Sequence, residues 1–402
     1  MTLLAAVEGV LQRDACSGCG LCVRLDPGLE MHVDEHGYSR PCLVGESRPI
    51  ARAEQIFARS CPGVVVAAPA LPPGAKRHPE LGTYLEAWQA WAADPEVRRA
   101  GSSGGALTAL HTWLVSTGRA TRITGAAGSA EDVRRTVPVT IMTREQALGA
   151  AGSRYAPIST LANPDVLARG AAVTGKPCEI AALRRAAPDL VDGEAPLMLS
   201  FFCAGTPSQH ATDDLLQDLG VTPAEPVTAL RYRGDGWPGR FIARTPDREV
   251  SADYDDSWGR VLGPTTQWRC KVCVDGVGES ADIVCADSWA TDERGYPVFV
   301  EGDGVSALIA RTPRGLETIR AAAEAGVIVL GELPMSQLAA AQPLQVTRKR
   351  FLFARLLGSR FAGRRPPRYR GFGLARLSLA YPREAIRTFR GTYRRVRAQR
   401  RR

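Results

Sequence analysis

Three cysteines within Cys16-Ser17-Gly18-Cys19-Gly20-Leu21-Cys22 constrain this chain more than any other feature. Gaps of two residues let one loop place three thiolates on one face of a small object, whereas zinc sites usually draw on two separated pairs. Three thiols on one loop suit three irons of a 4Fe–4S cubane, with the fourth ligand arriving from a distance. Cys61, followed by Pro62, is the candidate for that ligand. Gly18 and Gly20 allow backbone amides to approach the sulfides and offset their negative charge. A zinc knuckle built from the same residues is the competing reading. Cys42, between the two, is expected to be a buried thiol.

The remaining cysteines are more scattered. Cys178, Cys203 and the pair Cys270-x2-Cys273 together supply one further cubane's worth of thiols. Taken alone, the pair is equally compatible with half a zinc ribbon, and Cys178 and Cys203 with core positions. Cys285 lies in the apolar run Ala281–Ala286 and reads as a strand residue. No basic leader precedes the short patch Leu3–Val7, and no apolar run reaches the length of a membrane span. The expectation is a cytoplasmic, non-spanning protein whose thiols are ligands rather than disulfides.

The net charge of +9 is unevenly distributed. From Val346 to Arg402 there are 19 Lys or Arg against one acid, Glu384, so the preceding residues sum to −9. An acidic body with a basic end is not the pattern of a nucleic-acid binder. Ile386, Phe389, Tyr393 and Val396 recur at helical spacing among the arginines, which suits a peripheral helix on an anionic membrane. A dock for an acidic ferredoxin or another redox protein fits the same charges. On either reading, deleting Val346–Arg402 is expected to leave cofactor content intact.

Residues 1–66 read as a small cysteine-bearing module, 67–78 as a Pro- and Ala-rich linker, 79–345 as the main domain and 346–402 as the tail. In the main domain, helical patterns such as Leu107–Thr117, Ile180–Ala187 and Asp213–Leu219 alternate with β-branched or apolar runs. Such runs include Val137–Met142, Ala171–Thr174, Leu197–Phe202 and Ile283–Ala286. That alternation predicts an α/β or mixed α+β fold. Within it, Ser102-Ser103-Gly104-Gly105 opens a helix and is a candidate anion cradle. Ser153-Arg154-Tyr155 adds a hydroxyl, a cation and an aromatic plane, and Lys176 lies two residues from Cys178. None of the five histidines has an acid–base context, and His111 is expected to be packed.

Taken in order, these segments resemble the coenzyme F420 hydrogenase/dehydrogenase beta-subunit family. The resemblance runs from Cys16–Cys22 and His36-Gly37-Tyr38-Ser39-Arg40-Pro41 through Ser102–Gly105, Gly152–Tyr155, Gly175–Cys178 and Phe202–Ser208. It continues through Tyr232-Arg233-Gly-Asp-Gly236-Trp237-Pro238, Cys270–Cys273 and Ala281–Ile283 with Asp287. The resemblance implies an iron–sulfur flavoprotein oxidoreductase. A ferredoxin-like N-terminal module would precede a larger α/β domain holding FAD. By carry-over, Ser102, Ser103, Gly104, Gly105, Ser153, Arg154, Tyr155 and Lys176 would line the flavin. Cys178, Cys203, Cys270 and Cys273 would hold an inner 4Fe–4S cluster, and Cys16, Cys19, Cys22 and Cys61 an outer one. The family usually has Gly where this chain has Cys285, so Cys285 is an alternative inner ligand. The implied chemistry exchanges an electron pair with coenzyme F420 or a small organic substrate, and single electrons with a partner.

Overall fold

The computed structural model describes residues 2–289 and 302–399. Eight strands form the central sheet: β1 (Glu86–Ala92), β2 (Arg122–Gly128), β3 (Thr136–Ile141), β4 (Ala171–Gly175), β5 (Leu197–Phe201), β6 (Ile283–Asp287), β7 (Ser306–Ala310) and β8 (Ile328–Glu332). Their spatial order is β8-β1-β7-β6-β5-β4-β2-β3. The inner strands β6, β5, β4 and β2 are parallel, while β3, β7, β1 and β8 pair antiparallel with their neighbours. Parallel strands are covered on both faces, which is why Ala-Ala-Val-Thr-Gly and Ile-Val-Cys-Ala-Asp are apolar almost throughout rather than alternating.

Successive residues of these strands feed two different cores. Val173, Met198, Val284 and Ile309 face the helix Pro177–Leu190 through Ile180 and Leu183. Ala172, Leu199, Ile283, Cys285 and Leu308 face the helix Ala106–Ser116 and the helix Pro313–Glu324. Cys285 is therefore an aliphatic-core residue; burial alone pushes its thiol up to about 12. The expected mixed α/β architecture is what the chain adopts.

The N-terminal segment shares the first of these cores. Leu3, Val7, Leu21, Ile56 and Phe57 pack in the same cluster as Ile180 and Leu183. Helices Leu3–Leu11, Leu21–Leu25 and Ala53–Ser60 flank a hairpin of Leu29–Val33 and Ser39–Leu43. Cys42 lies on that hairpin and is exposed rather than buried, because its strand edge faces solvent.

The basic C-terminal segment is folded onto the body, a departure from the reading by charge. Strand Arg368–Arg370 pairs in parallel with Val65–Ala67. Leu352, Leu356 and Phe372 share a core with Val66, Val272 and Val274. Full burial of such side chains is worth about 1.5–3 kcal/mol each. Helix Pro382–Gln399 lies against helix Leu352–Phe361, with Val396 buried and Phe389 edge-on to Phe361 at 5.7 Å. Part of the apolar stripe is thus spent inside the molecule. Among the described residues, no helix is long and apolar enough to cross a membrane.

Candidate functional site

The carboxyl ends of β2, β4, β5 and β6 lie along one edge of the sheet, where ligands of open α/β sheets bind. Strand β4 runs directly into Lys176-Pro177-Cys178, and proline at the first helical position starts the helix that carries Cys178 in its first turn. Cys203 lies two residues beyond β5, and its amide is held by Gly276 O at 2.8 Å. Cys270 lies in a short helix, Trp268–Lys271, Cys273 two residues beyond it, and Cys273 Sγ donates to Asp275 O at 3.2 Å. The four thiols, separated by up to 95 positions in the sequence, come close enough to influence one another's charge. Burial, then the charge of Cys270, pushes Cys203 up to about 12, while Arg348 pulls it back. Burial raises Cys178 well above an ordinary thiol; Lys176 opposes this, and Cys273 and Cys203 reinforce it.

The N-terminal quartet assembles in the same way. Gly18 and Gly20 adopt left-handed conformations, and a Cβ at Gly20 would lie 2.6 Å from Ala162 N. These two glycines let the cysteine loop press against the main domain, where Ser159 Oγ donates to Gly18 O and Leu161 N to Cys19 O. Cys61 ends the helix Ala53–Ser60. Burial raises Cys22, and the neighbouring charges of Cys19, Cys16 and Cys61 add to it. Burial also pushes Cys19 up to about 11, with Cys16 contributing.

No three His, Cys, Asp or Glu side chains among the described residues converge on the point a single ion would need. Donors to one zinc all lie ~2.3 Å from a common centre. The thiols of each set are nonetheless close enough for their charges to act on one another. Amides already point at them: Gly18 N to Cys16 Sγ and Thr206 N to Cys270 Sγ, each at 3.4 Å. As a fit to iron–sulfur groups, the donor set is thiol-only, buried at Cys19, Cys22 and Cys61 and partly buried elsewhere, and supplied with N–H donors.

The two quartets adjoin. Gln267 Nε2 donates to Ser17 O at 3.3 Å and to Cys270 Sγ at 3.6 Å. Arg269, only 2% exposed, donates to Pro62 O at 3.0 Å, so it reaches from beside Cys270 to beside Cys61. Burial works against its charge, but Tyr369 and the thiols of Cys273, Cys178 and Cys270 prevail and raise its pKa.

Beside Cys203 along the same edge lies a second cluster. Arg233 is buried and donates to Asp287 Oδ2 at 2.6 Å, at the end of β6. Ser102 Oγ donates to Arg233 O, and Ser153 Oγ donates to Ser102 Oγ at 2.9 Å. Tyr155 packs against Trp258 at 4.8 Å and against Tyr232 at 6.0 Å. Gly104 packs so tightly on β1 and β7 that a Cβ would lie 2.5 Å from Ala90 O; its amide is taken by Ser306 Oγ. Gly105, left-handed, starts the helix. Ser103 Oγ donates to Val305 O, which also accepts from Ser288 N; the next residue, Trp289, has a buried Nε1 without an acceptor among the described residues. That orphaned donor, one residue from Ser288 and so near Ser103, fits the polar edge of a planar heterocycle.

Two of the cations singled out from the sequence are already committed. Arg154 donates to Thr136 Oγ1 and to the carbonyls of Leu230, Val133 and Arg135, which makes it a strut under Tyr232. Lys176 is buried and paired with Glu179 at 2.6 Å, completing a capping box beside Cys178. His111 is packed as expected: its Nε2 meets Thr174 Oγ1 at 2.7 Å, and burial lowers its pKa to about 4. Of the other site residues, sequence reasoning quoted Arg233 and Asp287 only as parts of the resemblance, with no role, and passed over Gln267 and Arg269. Their signal was position, inside a Tyr-Arg-Gly-Asp-Gly-Trp-Pro segment, at a strand end, or within three residues of Cys270.

These features define an α/β protein with paired thiol quartets and an aromatic, arginine-anchored polar cluster along one sheet edge. The chain belongs to the coenzyme F420 hydrogenase/dehydrogenase beta-subunit family: residues 87–163 match that family's N-terminal region and residues 168–335 its C-terminal region. It is 26% identical over 260 residues to the coenzyme F420 hydrogenase subunit beta of Methanothermobacter thermautotrophicus, covering 61% of this chain and 84% of that protein. It is also 26% identical over 273 residues to the F420-dependent formate dehydrogenase 1 subunit beta of Methanococcus maripaludis, covering 61% and 67%. A chain in the F420-reducing NiFe hydrogenase complex of Methanosarcina barkeri shares the fold, with a TM-score of 0.55 at 21% identity over 73% of this chain and 98% of that one.

Proposed function

We propose that this chain is an iron–sulfur flavoprotein oxidoreductase. It would exchange an electron pair with coenzyme F420 or a small organic molecule, and single electrons with a partner redox protein. The observation that carries this reading is the adjacency of two thiol quartets, joined through Gln267 and Arg269, to the Ser102–Ser153–Arg233 cluster, with Cys203 and the Arg233 partner Asp287 at the ends of the neighbouring strands β5 and β6. Cys16, Cys19, Cys22 and Cys61 would hold one 4Fe–4S group within residues 1–66, the ferredoxin-like part. Cys178, Cys203, Cys270 and Cys273 would hold the other. Ser102, Ser103, Ser153 and Tyr155 would line FAD, with Gly104 and Gly105 setting the backbone beneath it. Bound there, a flavin supplies conversion between paired and single electrons, and the clusters supply one-electron steps.

The protein's own contribution is electrostatic and positional. The raised thiols of Cys16, Cys19, Cys22, Cys61, Cys178 and Cys203 hold their protons on their own, so a cationic iron core would supply the charge that releases them. Arg269 and Lys176 place buried positive charge beside the thiols, which favours electron acceptance. Arg233, held by Asp287 and by the carbonyl of Pro238, fixes the backbone that Ser102 and Ser153 are bonded to.

Iron, sulfide and flavin stoichiometry on anaerobically purified protein tests this reading. Eight irons and one FAD per chain are expected; a colourless protein containing zinc would refute it. The named relatives are subunits, which favours a second reading, a relay that works only within a larger complex. Turnover of reduced F420 by the isolated chain separates the two.

A further inference from the structure

A cleft of about 670 Å³ opens where the C-terminal segment crosses the loop after Cys61. Its walls are Gly63 and Val64 on one side and Arg360, Gly363, Arg365, Pro366, Pro367 and Arg368 on the other, with Arg13 at the end. Four arginines therefore face one concavity. None of the four has a side-chain ion pair or hydrogen bond among the described residues. Asp14, next to Arg13 in the sequence, is taken by Arg364. Phe361, next to Arg360, is 71% exposed.

Unpaired like charges converging on a cleft are self-repelling, and an anionic occupant relieves that cost. We propose that this cleft is the docking site for a small acidic one-electron carrier protein, a proposal that rests on the redox reading above. Three features select this occupant. The cleft wall begins two residues beyond Cys61, so a carrier seated there stands at the outer quartet. Arginine beside an exposed aromatic is the composition of protein interface centres. A bilayer is too flat to fill a concavity, and helix Pro382–Gln399 spends Val396 and part of Phe389 on the body rather than on a lipid surface.

The test uses the anaerobically purified full chain, an acidic 2Fe–2S ferredoxin as the probe, and calorimetric titration at 50 and 300 mM salt. In the variant R365E/R368E, Kd at low salt is expected to rise at least tenfold and the salt dependence to flatten. R13E, on a different element, is expected to shift Kd in the same direction, and R169E at the opposite sheet edge to leave it unchanged. Iron and flavin are quantified in every sample. An iron-loaded wild type whose affinity ignores both reversals overturns the docking site alone, whereas a wild type without iron overturns the redox reading and the docking site together. Flotation with phosphatidylglycerol vesicles that is abolished by the reversals, with ferredoxin affinity unchanged, would assign the cleft to lipid and overturn the proposal.

Discussion

Replacing Lys349 by Met should couple stability to metal content. Lys349 Nζ donates to Val274 O at 3.0 Å and pairs with Glu279; the two side chains are 4% and 1% exposed. The pair ties helix Pro343–Arg350 to the loop that follows Cys273. Removing one partner leaves a buried carboxylate uncompensated, which costs about 3–5 kcal/mol. Arg311 also acts on Glu279, so the lower end, about 3 kcal/mol, is expected here. Against a typical folding stability of about 5–15 kcal/mol, that is a large share. Urea denaturation of the anaerobic protein should show the drop, and the inner quartet should lose iron. K349M/E279Q should recover more than half of the stability, because the neutral amide needs no counter-charge. The pH dependence follows from Glu279. Burial raises its carboxyl, but Lys349 and Arg311 prevail and lower it below the usual 4.5. The contribution is therefore full above that value and lost as pH falls through the lowered one. A K349M protein within about 1 kcal/mol of wild type, with full iron, would refute this account.

Truncation before Val346 removes Arg348, which donates to Cys203 O at 2.9 Å, along with Tyr369, whose hydroxyl donates to Val272 O at 2.6 Å. Iron analysis should show loss of the inner group, whereas full iron retention would restore the view of this segment as a separable tail. Serine at Cys19 should halve the iron content, and serine at Cys203 likewise, while Cys285→Ala should leave it unchanged because Cys285 lies in the aliphatic core; visible absorbance and iron assays decide. His111 titrates near 4 in the fold and near 6.5 when unfolded, so the unfolded chain binds the extra proton between those values and stability rises with pH there. The span corresponds to about 3 kcal/mol, and the pH 4.5 to pH 7 difference in urea stability should shrink markedly in H111Q. Arg269→Gln should move the potential of a neighbouring cluster to more negative values in an EPR-monitored titration, since a buried positive charge favours the reduced form; an unchanged potential would leave Arg269 as a packing residue only.

The cysteine spacing marked the N-terminal thiols in the sequence, because a loop with two-residue gaps brings three sulfurs together through local geometry alone, whereas only the family resemblance joined Cys178 and Cys203 to Cys270 and Cys273. The alternation of apolar runs and helical stretches likewise conveyed the α/β class, since parallel strands buried on both faces must be apolar throughout. Charge counting misled at the C-terminus. Nineteen cations against one acid look like a solvated tail, yet Arg348 and Lys349 are buried against carbonyls and Glu279, and those partners lie 70 or more residues away in the chain. Arg154 and Lys176 looked free for a ligand for the same reason: composition records a charge but not the carbonyls or carboxylate that a distant loop turns toward it.

What the sequence settled on its own was therefore whatever short-range spacing can enforce: which thiols form a loop, which runs become strands, and where helices begin. Tertiary structure alone decided that the two quartets adjoin, because Gln267 and Arg269 reach Ser17 and Pro62 across more than 200 residues of chain. It also decided that Cys285 faces an aliphatic layer and that the basic end closes over the inner thiols. Contacts between distant segments follow from which buried polar groups find partners when the sheet forms, and linear order carries no measure of that.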